Sequence, residues 1–319
     1  MSGLPFHRDR PDAKVATPLT LEALLAFDEI LDARSPSEYR EDHLPGAVNV
    51  PTLDDEERAL VGTVYAERSA FEAKRVGAPL AARNIARHIE ERFAQRPRGW
   101  RPLVYCWRGG GRSASLVHVL RQVGWDAQRL DGGYKAFRRQ VVADLERLPR
   151  DFRYHVICGA TGSGKSRLLE ALVEAGAQVL DLEVLAAHRG SVLGDLPDAP
   201  QPTQKAFETS LWTALSGFDR ARPVYVESES KKVGNLRVPD ALIGRMREAR
   251  CFRLEATAGL RVALLLEEYA HFVGRPQALM ARLELLRDLH GAERIAQWKD
   301  HLQQGAWEPL VHDLLESHY

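Results

Sequence analysis

The chain has 319 residues, 45% apolar and 28% charged, with 44 basic side chains balancing 44 acidic ones. This is the composition of about two soluble globular domains. No apolar run reaches the roughly 18 residues of a membrane span, and "MSGLPFHRDRPDAK" lacks the apolar centre of a secretory leader, so the expectation is a cytoplasmic protein without a membrane partner.

In chain order, "EILDAR" (29–34) reads as a short strand, followed by a turn at Pro36 and a loop ending at Pro51. "PLVYCW" (102–107) is a strand by its apolar and aromatic run. "RSASLVHVLRQVGW" is a helix with an apolar stripe at Leu116, Val119, Leu120 and Val123. "AQRLDGG" is a short strand and turn, and "YKAFRRQVVADLERL" a helix ended by Pro149. The boundary falls at "PRDFR", dividing the chain into domains 1–150 and 151–319. Beyond it, "YHVIC" reads as a buried strand, "GATGSGKS" as a glycine loop and "SRLLEALVEAG" as a helix. "AQVLDLE", "PVYVESES" and "RCFRLEA" are further strands, and from Gly259 the pattern is almost wholly helical. Strands alternating with helices predict α/β folds with parallel sheets in both halves.

Charge is uneven along this order. Residues 83–153 carry 16 Lys/Arg against 7 Asp/Glu. Such a segment is either a footprint for a phosphate backbone or a set of solvated helix faces.

The three cysteines are odd in number and far apart, which suits neither a disulfide framework nor a zinc site. Cys158 and Cys251 read as small buried hydrophobes. Cys106 differs, because it ends a parallel strand, where α/β folds place ligands, and is followed by Trp107, Arg108, Gly109, Gly110, Gly111, Arg112 and Ser113. The glycines let successive backbone N–H groups turn toward the sulfur. The next helix presents its N-terminus there, with Ser113 as its cap, and Arg108 and Arg112 add charge if they turn inward. The pattern predicts a reactive thiolate and a cradle for an anionic group carried on it.

"GATGSGKS" fits the phosphate-loop pattern and stands between strand and helix as that pattern requires. Gly159, Thr161, Gly162, Ser163 and Gly164 would cradle phosphates, Lys165 would reach the outer ones, and Ser166 would stand beside any Mg²⁺. The loop recognises phosphates and not a base, so ATP, GTP or any diphosphate ester would suit it. Glu227 and Glu229 end a strand where an acidic partner would stand; the alternative is a solvent-facing strand end. His188, Arg189, Gln204 and Lys205 either line a phosphate or nucleic-acid site or serve turns and helix starts.

"YCWRGGGRSA", "LDARSPSEYREDHLPGAVNVP" and "LDGGYKAFR" together resemble the rhodanese family, with Asp32, Arg34, Glu38, His43, Pro45, Gly46, Ala47 and Asn49 in register. That resemblance implies sulfur- or selenium-type transfer through Cys106. Joined to "ICGATGSGKS", "DLEVLAAHRGS", "QPTQKAFE" and "VESESKKVG", it becomes a resemblance to the tRNA 2-selenouridine synthase family over about residues 15–319. This implies a tRNA substrate with 2-thiouridine at the wobble position, S-geranylation by geranyl diphosphate, then selenium from selenophosphate and a partner enzyme that supplies it. No tightly bound cofactor is implied. The P-loop would take the diphosphate, Cys106 the selenium, and Trp107 a stacked base. Asp32 and Arg34 would support the cysteine loop. The geranyl chain would need an apolar slot, with Leu264, Leu265, Tyr269 and Phe272 as candidates if they are not simply core. The resemblance also implies a tail past "ESHY" with further tRNA contacts. Rival readings are a sulfurtransferase with a nucleotide-regulated P-loop domain, a P-loop kinase or NTPase with a rhodanese binding module, and a tRNA-binding adaptor.

Overall fold

The structure, a computed structural model, describes residues 14–191, 193–195 and 199–318. Most of the N-terminal stretch read above for a leader, Val192 of "HRGSVLG", and Tyr319 therefore lie outside the described residues. The chain forms two units, the first comprising residues up to Asp144 together with Glu208–Gly217, the second Leu145–Phe207 and Phe218 onward. Both are α/β, as the alternation of strands and helices predicts.

The first unit is built on a parallel sheet of β1 (Lys14–Val15), β2 (Glu29–Asp32), β3 (Ala47–Asn49), β4 (Pro102–Tyr105) and β5 (Gln128–Leu130), in the order β1-β5-β4-β2-β3. A central parallel strand is covered on both faces and reads as an apolar run; in β4 every residue is buried. Around the sheet lie α1 (Leu21–Leu25), α2 (Pro36–Glu41), α3 (Asp55–Glu67), α4 (Ala70–His88) with a π-helical end at Ile89–Phe93, α5 (Gly111–Val123) and α6 (Gly133–Arg147). On α5 the buried stripe is Leu116, Val117 and Leu120, while Val123 is exposed. The expected stripe is thus corrected: Val117 joins it, Val119 packs against it only half-buried, and Gly124, at φ +109°, ends the helix and leaves Val123 exposed in its last turn. Leu116, Val117 and Leu120 pack with Leu31, Val104, Phe93, Trp100 and Trp125. The paired helices α3 and α4 escape the sequence reading because neither shows a clean apolar stripe.

The second unit has a parallel sheet of β6 (Tyr154–Cys158), β7 (Gln178–Leu180), β8 (Val224–Glu227) and an edge strand (Arg250–Arg253), with β6 and β8 central. Its helices are α7 (Lys165–Glu174), α8 (Leu182–Ala186), the first turn of α9 (Gln204–Gly217), α10 (Asp240–Glu248) and a helical end of α11 (Ala258–Glu268), α12 (Ala270–Val273), α13 (Pro276–Glu284), α14 (Arg287–Gln303) and α15 (Trp307–Ser317). That end has its own core around Leu283, Ile295, Trp298 and Leu310. Cys158 and Cys251 are not the separate buried thiols the sequence suggests: parallel pairing of β6 with the edge strand brings their Cα atoms to 6.2 Å and pairs their sulfurs, and Cys251 is exposed.

Candidate active site

Strand β4 delivers Cys106 to the C-terminal edge of its sheet, where the side chain is buried and Sγ lies 3.2 Å from Ser113 Oγ. The loop is fixed by backbone bonds from the start of α6: Tyr134 N–H donates to Cys106 O and Lys135 N–H to Trp107 O, each at 2.9 Å. The approach is tolerable only without a side chain at Gly133, whose φ is +57° and whose Cβ would lie 2.2 Å from Cys106 O. Arg129 donates to Gly109 O at 2.9 Å from behind.

Two expectations about this loop need correction. Ser113 does not cap α5; Gly110 occupies the cap position, and Ser113, in the first turn, turns its hydroxyl toward the sulfur and Gly110 O. Arg112 is spent on Glu38, gripping both carboxylate oxygens. Burial alone would raise the Glu38 carboxyl, but the bonds from Arg112 and Ser35 outweigh it and hold it below the ordinary 4.5. Arg108 is exposed and carries its charge at the loop's outer side.

Asp32 and Arg34 form a buried support. Arg34 Nε donates to both Asp32 oxygens at 3.0 Å and Nη2 donates to Asp42 O at 2.6 Å. Tyr105 O–H donates to Asp32 at 2.7 Å, and Tyr134 O–H to Asp42 at 2.8 Å. The pair thereby fixes the residue before Cys106 and the residue after Gly133. Trp107 is half-buried with its ring 5.4 Å from that of Tyr134.

In the second unit, the loop after β6 turns through Gly162 (φ +75°) and Gly164 (φ +87°) into α7, which begins at Lys165. Lys165 Nζ donates to Gly159 O at 3.0 Å and Ala160 O at 3.3 Å, folding the ammonium over its own loop. Backbone N–H groups at a helix N-terminus make an anion site. Helix α11 rests on this loop: Arg261 Nε donates to Thr161 O at 2.9 Å, and a Cβ on Gly162 would meet Leu265 at 2.9 Å. Thr161 also lines an apolar cavity with Leu265, Tyr269, Phe272, Leu279 and Leu310 among its walls.

Carboxyls gather on the loop's other side. Glu227 is buried and accepts Glu183 N–H at 2.9 Å. Glu183 and Glu229 carboxyls converge over Gly190, where a Cβ would lie 2.7 Å from an oxygen of each. Burial, then Asp181, pushes Glu227 up to about 9; burial, then Glu229, pushes Glu183 up to about 7. The charge of Lys165 opposes the rise at Glu183 and Glu229. Glu227 is therefore a buried strand end within this cluster and not a solvent-facing one.

Residues 17–140 match the model of the rhodanese-like domain, and residues 152–307 that of the tRNA 2-selenouridine synthase AAA domain. A tRNA 2-selenouridine synthase of Marinobacter nauticus is 32% identical over 91% of this chain and 83% of its own length. One from Alcanivorax borkumensis is 33% identical over 89% and 82%. The chain belongs to the tRNA 2-selenouridine synthase family. It spans 66% of a third relative, the Nitrosomonas europaea synthase, at 35% identity over 78% of this chain.

The remaining expected residues of this family member are dispersed. His188 is buried within its own loop, with Nδ1 accepting Gly190 N–H at 3.1 Å and Nε2 3.3 Å from Asp195, and burial lowers its pKa. Gln204 holds the backbone of Arg237 through both amide atoms, and Lys205 is the second residue of α9. For His188 and Gln204 the structure favours turn and helix-start roles over a phosphate site. Arg189 lies 5.3 Å over the ring of Tyr269, at the cavity wall, and 3.5 Å from Glu268. Of the slot candidates, Leu265, Tyr269 and Phe272 line the cavity, while Leu264 packs over Gly164, where an added Cβ would lie 3.6 Å from it. Sequence reasoning passed over Glu183 and Asp181 and gave Glu38 no role at the site; Ser35-x-x-Glu38 carries only the signal of a capping box.

Proposed function

We propose that this protein is a tRNA-modifying transferase that converts wobble 2-thiouridine to 2-selenouridine by S-geranylation followed by selenium exchange. The observation that carries the reading is the junction of phosphate loop and apolar cavity at Thr161. A nucleotide needs polar groups for its base and sugar beside the phosphates; an allylic diphosphate needs an anion cradle opening onto an apolar slot, as here. In the first stage the thiocarbonyl sulfur forms a bond to C1 of geranyl diphosphate, the C1–O bond breaks, and diphosphate leaves with the electron pair. The N3 proton goes to solvent. Lys165 and the loop N–H groups stabilise the charge growing on the leaving group. Among the described residues no three His, Cys, Asp or Glu have metal-holding geometry, so Mg²⁺ beside Ser166 would take most of its ligands from phosphate and water.

In the second stage selenium adds at C2 and geranylthiol departs, the alkyl group having made sulfur a better leaving group. The net reaction consumes selenophosphate and water and releases phosphate. Cys106, cradled by Gly109–Gly111 and beside Ser113, is the nucleophile of this stage: its thiolate attacks the phosphorus of selenophosphate, the P–Se bond breaks, hydroselenide leaves to add at C2, and water then frees phosphate from the sulfur; a selenophosphate-producing partner supplies the donor. Arg108 follows Trp107 and Lys135 bonds its carbonyl through the backbone; both side chains are exposed, as is Arg139 one turn further along α6, and together they offer a phosphate footprint to tRNA. No helix among the described residues is long and apolar enough to cross a membrane; we place the enzyme in the cytoplasm with its tRNA.

The test is nucleoside mass spectrometry on 2-thiouridine tRNA given geranyl diphosphate and then selenophosphate. Wild type should form S-geranyl-2-thiouridine, then selenouridine. Cys106→Ala should stop at the first product, and Lys165→Ala should lose it. Tight tRNA binding without either product would overturn the reading in favour of a sulfurtransferase with a nucleotide-regulated second domain.

A further inference from the structure

We infer that the hairpin at residues 230–238 is a docking ribbon for the phosphate backbone of the substrate RNA; this rests on the tRNA reading above. Two short antiparallel strands, Lys232–Val233 and Leu236–Arg237, join through Gly234 and Asn235. Val233 and Leu236 oppose each other and are buried. Lys232 and Arg237 form the next opposed pair, on the other face of the ribbon, and both are exposed. Like charges directly opposite one another destabilise a strand pair. Neither cation has a carboxylate partner among the described residues, and Lys231 beside them reaches only the exposed Asp240, at 3.6 Å. Folding alone gives no reason for this pairing, whereas a polyanion laid across the ribbon removes the repulsion.

The backbone beneath these charges is held on every side. The Ser230 hydroxyl donates to Lys232 O at 2.6 Å and accepts Lys232 N–H at 3.1 Å. Gln204 accepts Arg237 N–H at 2.8 Å and donates to Arg237 O at 2.9 Å. Both residues thus turn their backbone groups away from each other, as in a non-hydrogen-bonded pair, where opposing side chains lie closest. Gln201 holds the turn, accepting Asn235 N–H at 2.8 Å and donating to Val233 O at 3.1 Å. Its amide fills the space that a side chain at Gly234, φ +57°, would need. The place of the ribbon fits the partner. It follows β8, and Ser228 N–H donates to Ile157 O at 2.8 Å, so the chain leaves the sheet at the edge where β6 runs into the phosphate loop. An RNA backbone held here is held in the unit that would carry the alkyl donor.

The experiment measures binding of the full chain to 2-thiouridine tRNA across a salt series, for wild type and for Lys232→Gln combined with Arg237→Gln. The slope of log affinity against log salt should become shallower by about 0.7–0.9 for each of the two cations. The urea midpoint of this variant should hold or rise, because a like-charge pair is removed; a lower midpoint contradicts the repulsion argument. Exchanging the pair, Lys232→Arg with Arg237→Lys, should keep the wild-type slope. In the S-geranylation assay the glutamine variant should raise KM for tRNA severalfold and leave KM for geranyl diphosphate unmoved. An unchanged slope in the folded glutamine variant overturns the ribbon. So does weaker binding of inorganic diphosphate with tRNA binding intact, which assigns the pair to a free phosphate ligand instead. A wild type that binds no tRNA refutes the tRNA reading beneath the proposal.

Discussion

Replacing Gly133 with alanine should damage the cysteine loop selectively. At Gly133 the backbone has φ +57°, and an added Cβ would lie 2.2 Å from Cys106 O, 2.5 Å from Gly109 N and 3.1 Å from Arg108 C. All three neighbours are backbone, so no side chain can swing away. The left-handed conformation costs an alanine about 1–2 kcal/mol, and forcing atoms into a packed site about 1–3 kcal/mol more. Gly124→Ala is the internal comparison: its φ is +109° but nothing lies within 4 Å of the new Cβ. It should cost only the conformational share, about 1–2 kcal/mol. Urea unfolding of the two variants should show Gly133→Ala to be the less stable. At concentrations where it remains folded, the loop must part from α6, breaking the bond from Tyr134 N–H to Cys106 O. The selenium stage should then fall well below the alkylation stage, whose phosphate loop belongs to the other unit. Equal stability of the two glycine variants, or a parallel fall of both stages in folded Gly133→Ala, would refute the reasoning.

Two further predictions concern charge. Lys135→Glu with Arg139→Glu should weaken tRNA binding and reduce the slope of log affinity against log salt by about 0.7–0.9 for each phosphate left without its cation, measured by filter binding across a salt series; an unchanged slope removes this face of α6 from the interface. Glu227 titrates near 9 in the fold against an ordinary 4.5, and Glu183 near 7. The folded state thus keeps protons that the unfolded chain releases, so stability should fall as pH rises from about 5 to 9. Glu227→Gln keeps the shape without the charge and should flatten that fall, read as urea midpoints at pH 5.5 and 8.5; a wild type more stable at the higher pH contradicts the burial argument.

What could be read from the residues depends on how far apart interacting groups lie in the chain. Both glycine loops are contiguous, and each is built by a strand, a tight turn and a helix start that adjoin in sequence, so their chemistry showed locally. Strand alternation was legible for the same reason. Arg112 and Glu38 are 74 positions apart, and Glu38 already satisfies a local role as the fourth residue of a capping box, which conceals the second one. Cys158 and Cys251, 93 apart, meet only because one parallel strand lies beside another. Helix α9 is the strongest case. Its start follows the second unit's loops, yet Thr209 bonds Asp42 at 3.0 Å and Trp212 bonds Asp144 at 2.9 Å inside the first unit. A boundary drawn at residues 149–153 by composition cannot contain that return, because nothing in "KAFETSLWTALSG" marks which core its apolar face will enter. Asp42 ties the return to the chemistry: its carboxylate receives both Thr209 and the Tyr134 that backs the cysteine loop. A residue some 100 positions downstream of Cys106 in sequence is therefore two hydrogen bonds from the tyrosine whose amide holds Cys106 O.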